Sequence, residues 1–125
     1  MREIKFLLLL TICLYSCFPH GDGIDVRVKN ETEDTLGSAK IYTWLSELEL
    51  GDIAPKSKAT GFLDMKNEPK SDGGYNLIFY DEDANEVVLG AGYYTMGKPL
   101  NRQITFIVES DTIMINFSNF GRSFK

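Results

Sequence analysis

The residues that could do chemistry are few in kind and poorly spaced for it. His20 is the sole histidine of the 125-residue chain, and it lies in a Pro/Gly-rich stretch, residues 18–23 (FPHGDG), that reads as an exposed tether. A Ser-His-Asp or Cys-His triad needs that ring inside the domain and a multi-histidine metal site needs several, so neither chemistry fits. Asp81, Asp83 and Asn85 stand at the one-three-five spacing that opens a calcium loop, and Glu86 adds a fourth oxygen donor. Such a loop requires glycine at its sixth position and a bidentate Glu at its twelfth, which here are Glu86 and Gly92. A polar hairpin between two apolar strands accounts for the same residues, and no metal or other cofactor is expected. Carboxylates are plentiful, but glycosidase-like catalysis needs two at a fixed spacing across a cleft, one with raised pKa, and no pair stands out. Gly90, Gly92 and Gly97-Lys98 form neither a dinucleotide fingerprint nor a phosphate loop. Glycine in a strand marks a bulge or a close backbone approach, so residues 90–94 read as a bent strand or strand end.

Contact chemistry is the better prospect. In Ser38 to Leu45 (SAKIYTWL), alternation puts Ala39, Ile41, Thr43 and Leu45 on one face and Lys40, Tyr42, Trp44 and Ser46 on the other. Tyr42 and Trp44 on an outer face would form a platform for a sugar ring or a partner protein. A lone tryptophan in a small β domain more often packs inside, and the alternative inverts the two faces. Tyr93 and Tyr94 raise the same question. Asn30-Glu31-Thr32 and Asn116-Phe117-Ser118 match the Asn-glycosylation pattern, and Asp34-Thr35-Leu36 and Asp111-Thr112-Ile113 resemble short O-glycosylation acceptors in turns; all four are short enough to recur by chance.

The amino terminus has the layout of an export signal: a short charged region through Lys5, then the apolar run FLLLLTICL from Phe6 to Leu14. That run is far shorter than the roughly 20 residues a membrane-spanning helix needs. It ends in Leu14-Tyr15-Ser16-Cys17, which resembles the lipobox of bacterial lipoproteins, with small Ser16 before the cysteine. Cys13 follows the bulky Ile12 and fits less well; an ordinary signal cut after Ser16 would instead leave Cys17 as a free thiol. The resemblance implies a precursor with a signal peptide over residues 1–16, lipidation of Cys17 and attachment to a membrane through that lipid. Cys13 would leave with the signal and Cys17 be capped, so no intramolecular disulfide is expected. Phe18 stands where an Asp retains some lipoproteins at the inner membrane, which favours the outer one.

Removing residues 1–16 takes two of the 13 cations and one of the 18 carboxylates, leaving a formal charge of −6. With its cations scattered, such a chain is expected to bind neither nucleic acid nor lipid headgroups through a polybasic patch. The elements that must position any site read as strands: Ile24, Val26 and Val28 alternate with charged neighbours; Leu48 to Ile53 alternates around Gly51-Asp52; Ala59 to Met65 is short. Lys66 to Gly74 is a loop, Tyr75–Tyr80 and Glu86–Ala91 flank the turn 81–85, and Ile104–Glu109 pairs with Ile113–Phe117. Turns every ten or so residues and no amphipathic helix predict a single all-β domain over residues 24–125, an antiparallel β-sandwich of about seven strands. The cadence resembles immunoglobulin-like or transthyretin-like sandwiches of small lipoproteins, without the Cys…Trp…Cys signature. Fold analogy alone selects no function. The sequence favours a non-enzymatic, lipid-anchored envelope module that binds or assembles with a protein partner; a glycan-binding surface module comes second and a carboxylate-based hydrolase a distant third.

Overall fold

The computed structural model describes residues 22–118, so the expected signal peptide over residues 1–16, Cys17 and His20 lie outside the described residues, as do residues 119–125. Among the described residues, nine strands and no helix follow in order: β1 (Gly23–Asn30), β2 (Leu36–Tyr42), β3 (Glu47–Ile53), β4 (Lys58–Asp64), β5 (Gly73–Tyr80), β6 (Glu86–Thr95), β7 (Lys98–Pro99), β8 (Gln103–Val108) and β9 (Ile113–Ser118). They form a four-stranded sheet in the order β4-β1-β8-β9 and a five-stranded sheet in the order β3-β2-β5-β6-β7. The count exceeds the expected seven partly because β7 is a two-residue strand against Tyr94 and Thr95. The expectation of an all-antiparallel arrangement needs correction: β1 runs antiparallel to β4 but parallel to β8.

Period-2 alternation builds the interior. Ile24, Val26 and Val28 of β1 face inward, and Ile41, Leu63, Leu77, Ile104 and Phe106 meet them from both sheets; all are buried. Each such side chain contributes roughly 2 kcal/mol on leaving water. Gly92 breaks the rhythm of β6. Its φ of 77° and the Phe117 ring, 2.5 Å from where a Cβ would sit, leave no room for a side chain. The pairing of β5 with β6 shifts register between Gly73 and Tyr75, so the bent strand expected at 90–94 runs on to Thr95.

The order of strands gives the domain two distinct ends. At one, β1 begins, β4 ends and β8 begins, and the loops 43–46, 65–72 and 96–102 gather there. At the other, β1 stops at Asn30, and the loops 31–35, 54–57, 81–85 and 109–112 collect. Asn30 ties that end. Its Nδ2 donates to the carbonyls of Asp34 (2.7 Å), Ile53 (3.0 Å) and Ala54 (3.1 Å), and its Oδ1 accepts from the backbone N–H and hydroxyl of Thr32.

Candidate binding surface

The run through Trp44 is where structure and alternation part. β2 stops at Tyr42, and Thr43 N–H donates to the Ser46 carbonyl (2.9 Å), closing a turn over residues 43–46. Off the strand, period 2 no longer applies. Trp44 is 79% exposed, and Leu45, expected in the core, is 65% exposed. Thr43 and Ser46 are the members of the turn that turn inward.

What they turn toward is Glu68, in the loop after β4 and 8% exposed. Its carboxylate accepts the hydroxyls of Thr43 (2.9 Å), Ser46 (2.5 Å) and Tyr94 (2.8 Å) and the N–H of Leu45 (3.3 Å). Burial by itself would raise its pKa, but the hydrogen bonds from Ser46, Tyr94, Thr43 and Leu45 outweigh that and hold it below the ordinary value. A buried anion is thus satisfied by four donors, none of them cationic. Burial first, and then the bond to this carboxylate, push the Tyr94 phenol up to about 12. The Tyr75 ring lies 5.5 Å from that of Tyr94; its hydroxyl is buried without a hydrogen-bond partner, and burial raises its pKa further still.

The neighbouring turn is tied to the same loop. Asp72 accepts from the Tyr93 hydroxyl (2.9 Å) and the Met96 N–H (3.1 Å), and the Gly97 N–H donates to the Ser71 carbonyl. At Gly97 φ is 74°, and a Cβ would lie 2.5 Å from the Pro69 carbonyl, so glycine alone permits this approach. Trp44, Leu45, Met96 and Leu100 are therefore presented on loops held by Glu68, Asp72 and backbone bonds.

A second surface occupies the outer face of the five-stranded sheet. Tyr42 points there, with Lys40 Nζ 5.9 Å from its ring centre and paired to Glu47 at 2.8 Å. Register sets Lys40 opposite Ile78 and Ile78 opposite Val88, with Tyr80 two residues along β5. Tyr80 is 40% and Val88 49% exposed, with Tyr42 and Ile78 half-buried beside them.

Of the contact residues expected from sequence, Tyr42, Trp44 and Tyr93 reach the surface, Tyr42 on the sheet face and the others at one end. Tyr94 does not: it is 2% exposed, with its hydroxyl committed to Glu68, and leaves the contact set. Glu68 was hidden in a loop read only as a connector. The calcium candidates sit at the opposite end, where Asp81 Oδ1 accepts the N–H groups of Asp83 (2.9 Å) and Asn85 (2.8 Å) and so shapes the hairpin turn. Among the described residues no three His, Cys, Asp or Glu side chains are grouped to hold a metal. Asn30 is buried with its amide fully used, so the first Asn-glycosylation match has no accessible acceptor.

No family model matches the chain, and no curated relative does. Among solved structures, the NMR structure of the protein from Eubacterium rectale is similar to it, with a TM-score of 0.51 and 6% identity over 82% of this chain and 94% of the other. Likeness at that identity is one of fold alone.

Proposed function

We infer that this chain is a non-enzymatic, lipid-anchored envelope module, an immunoglobulin-like or transthyretin-like sandwich that docks a protein partner on the outer face of its five-stranded sheet. The observation that supports it is the apolar group that Ile78, Tyr80 and Val88 form on β5 and β6, with Tyr42 on β2 two residues from Lys40, the partner of Ile78; all four are exposed or half-buried among the described residues. Tyrosines and aliphatics on a sheet face, with Glu47, Glu49 and Glu86 beside them, are the composition of a protein interface rather than of a catalytic cleft. The lipid on Cys17 would keep the module where its partner is.

Site-specific photo-crosslinking in the cells of origin tests this reading. A crosslinker at position 80 or 88 should give one protein adduct, and one at Thr60, on the other sheet, should not. Adducts at both faces alike, or at neither, would contradict the sheet face as the docking surface.

A further inference from the structure

We propose that the loop end carrying Trp44 and Leu45 seats in the headgroup region of the bilayer that holds the lipidated Cys17. The inference rests on the anchoring proposed above and adds a second, non-covalent contact at a surface separate from the sheet face.

Four observations converge. The first is where the chain enters. β1 starts at Gly23 beside the end of β4, and the Met65 N–H donates to the Asp22 carbonyl, so the backbone at Asp22 is fixed at this end. From Cys17 to Asp22 is five residues, a reach of at most about 17 Å fully extended. A lipid at Cys17 brings this end, and not the opposite one, to the membrane.

The second is apolar exposure. Trp44, Leu45, Met96 (58%) and Leu100 (55%) all stand on the loops of this end, whereas the four loops at the Asn30 end carry no exposed large apolar side chain. Tryptophan with aliphatic neighbours is the composition that settles at a membrane interface, where the indole keeps its polar edge wet.

Charge is the third. The loops 43–46, 65–72 and 96–102 carry exposed Lys66, Lys70, Lys98 and Arg102 against buried Glu68 and exposed Asp72, with Asp22 and Asp64, the latter 3.7 Å from Lys66, at the same end. The loops at the other end carry eight carboxylates against Lys56. Anionic headgroups repel the second set far more strongly than the first, so the field orients the domain the same way as the tether does.

The fourth is rigidity. The bonds of Glu68 to Thr43, Leu45 and Ser46 fix the turn on either side of Trp44, so little conformational entropy is lost when the turn docks. One apolar turn binds a membrane weakly by itself, and the acyl chains supply the local concentration that makes the contact persistent.

Trp44 is the chain's only tryptophan and reports on its own surroundings. The test is fluorescence of the full lipidated protein reconstituted in protein-free vesicles of phosphatidylethanolamine and phosphatidylglycerol, against the detergent-free Cys17→Ala chain. In vesicles, Trp44 emission should shift to the blue, lose its quenching by acrylamide and gain quenching by lipids brominated near the headgroup. Leu45→Asp should reverse much of this with the fold unchanged by circular dichroism. If intact mass and flotation show the acylated protein on the vesicles while Trp44 stays as open to acrylamide as in the Cys17→Ala chain, the seating is wrong and the anchor stands. If the mass shows no acyl chains, the anchor falls and the seating with it. Shielding found in native envelopes but absent from protein-free vesicles would assign the loop to a protein or glycan and overturn the proposal.

Discussion

Each end of the domain is tied by one buried polar side chain, and the two ties differ in charge. Asn30 is neutral and gathers three carbonyls and a threonine across the loops 31–34 and 53–54. Glu68 is an anion that gathers three hydroxyls and an N–H around the turn at Trp44. A neutral amide holds loops at any pH, whereas a carboxylate holds them only while ionised. The difference also tracks the surface each tie supports: acidic turns lie over Asn30, and exposed Trp44 and Leu45 over Glu68.

Removing the ties should sharpen the contrast. Glu68→Ala leaves the hydroxyls of Ser46 and Tyr94 without their acceptor and takes from Thr43 its shorter bond, and should lower unfolding free energy by about 3 kcal/mol in urea titrations. Asn30→Ala opens the other end and should cost about 2 kcal/mol by the same measurement, its carbonyls being nearer to water. Equal losses at neutral pH would mean that the charge of Glu68 adds nothing to its tie.

Acid should separate the ends further. The pKa of Glu68 is lowered in the folded chain, so its contribution is complete above the unfolded glutamate value of 4.5 and is lost as pH falls through the lower folded value. At the opposite end Glu82 is raised, first by its hydrogen bond with Asp34 and then by that residue's charge and those of Asp83 and Asp81, so acidification relieves repulsion there. Protection against hydrogen exchange, taken relative to the intrinsic rate at each pH, should therefore fall below pH 4.5 at residues 43–46 and not at 81–85. Glu68→Gln should abolish that pH response; protection falling equally at both ends would break the comparison.

Smaller effects follow. Tyr94→Phe removes one donor to the carboxylate and should cost about 1.5 kcal/mol. It should also move the acid response of the turn toward higher pH, because one of the bonds holding the Glu68 pKa down is gone.

Strands were legible in the sequence wherever one face is core. Ile24, Val26 and Val28 gave β1 within a residue of its bounds, and Tyr75 to Tyr80 gave most of β5, because burial on one side imposes period 2. The same rule misplaced Leu45, since nothing local marks Tyr42 as the last strand residue; the turn depends on Glu68, more than twenty residues away. Glu68 itself carried no signal, as a glutamate in KNEPKSDGG looks like any solvated loop acid. The parallel pairing of β1 with β8 was equally hidden, because alternation fixes which side chains face inward but not which strand lies next door. Ile78 and Tyr80 on the outer sheet face were readable from the alternation in YNLIFY but stood out only once Val88 was set beside them.

The most direct test of the account is whether Trp44 is surface held out by Glu68. In the detergent-free Cys17→Ala chain, Trp44 emission should be that of an indole in water, and Trp44→Ala should change unfolding free energy by no more than about 0.5 kcal/mol, as expected of an exposed side chain. A blue-shifted emission in the free chain, or unfolding on Trp44→Ala, would place the ring in the core and contradict the account.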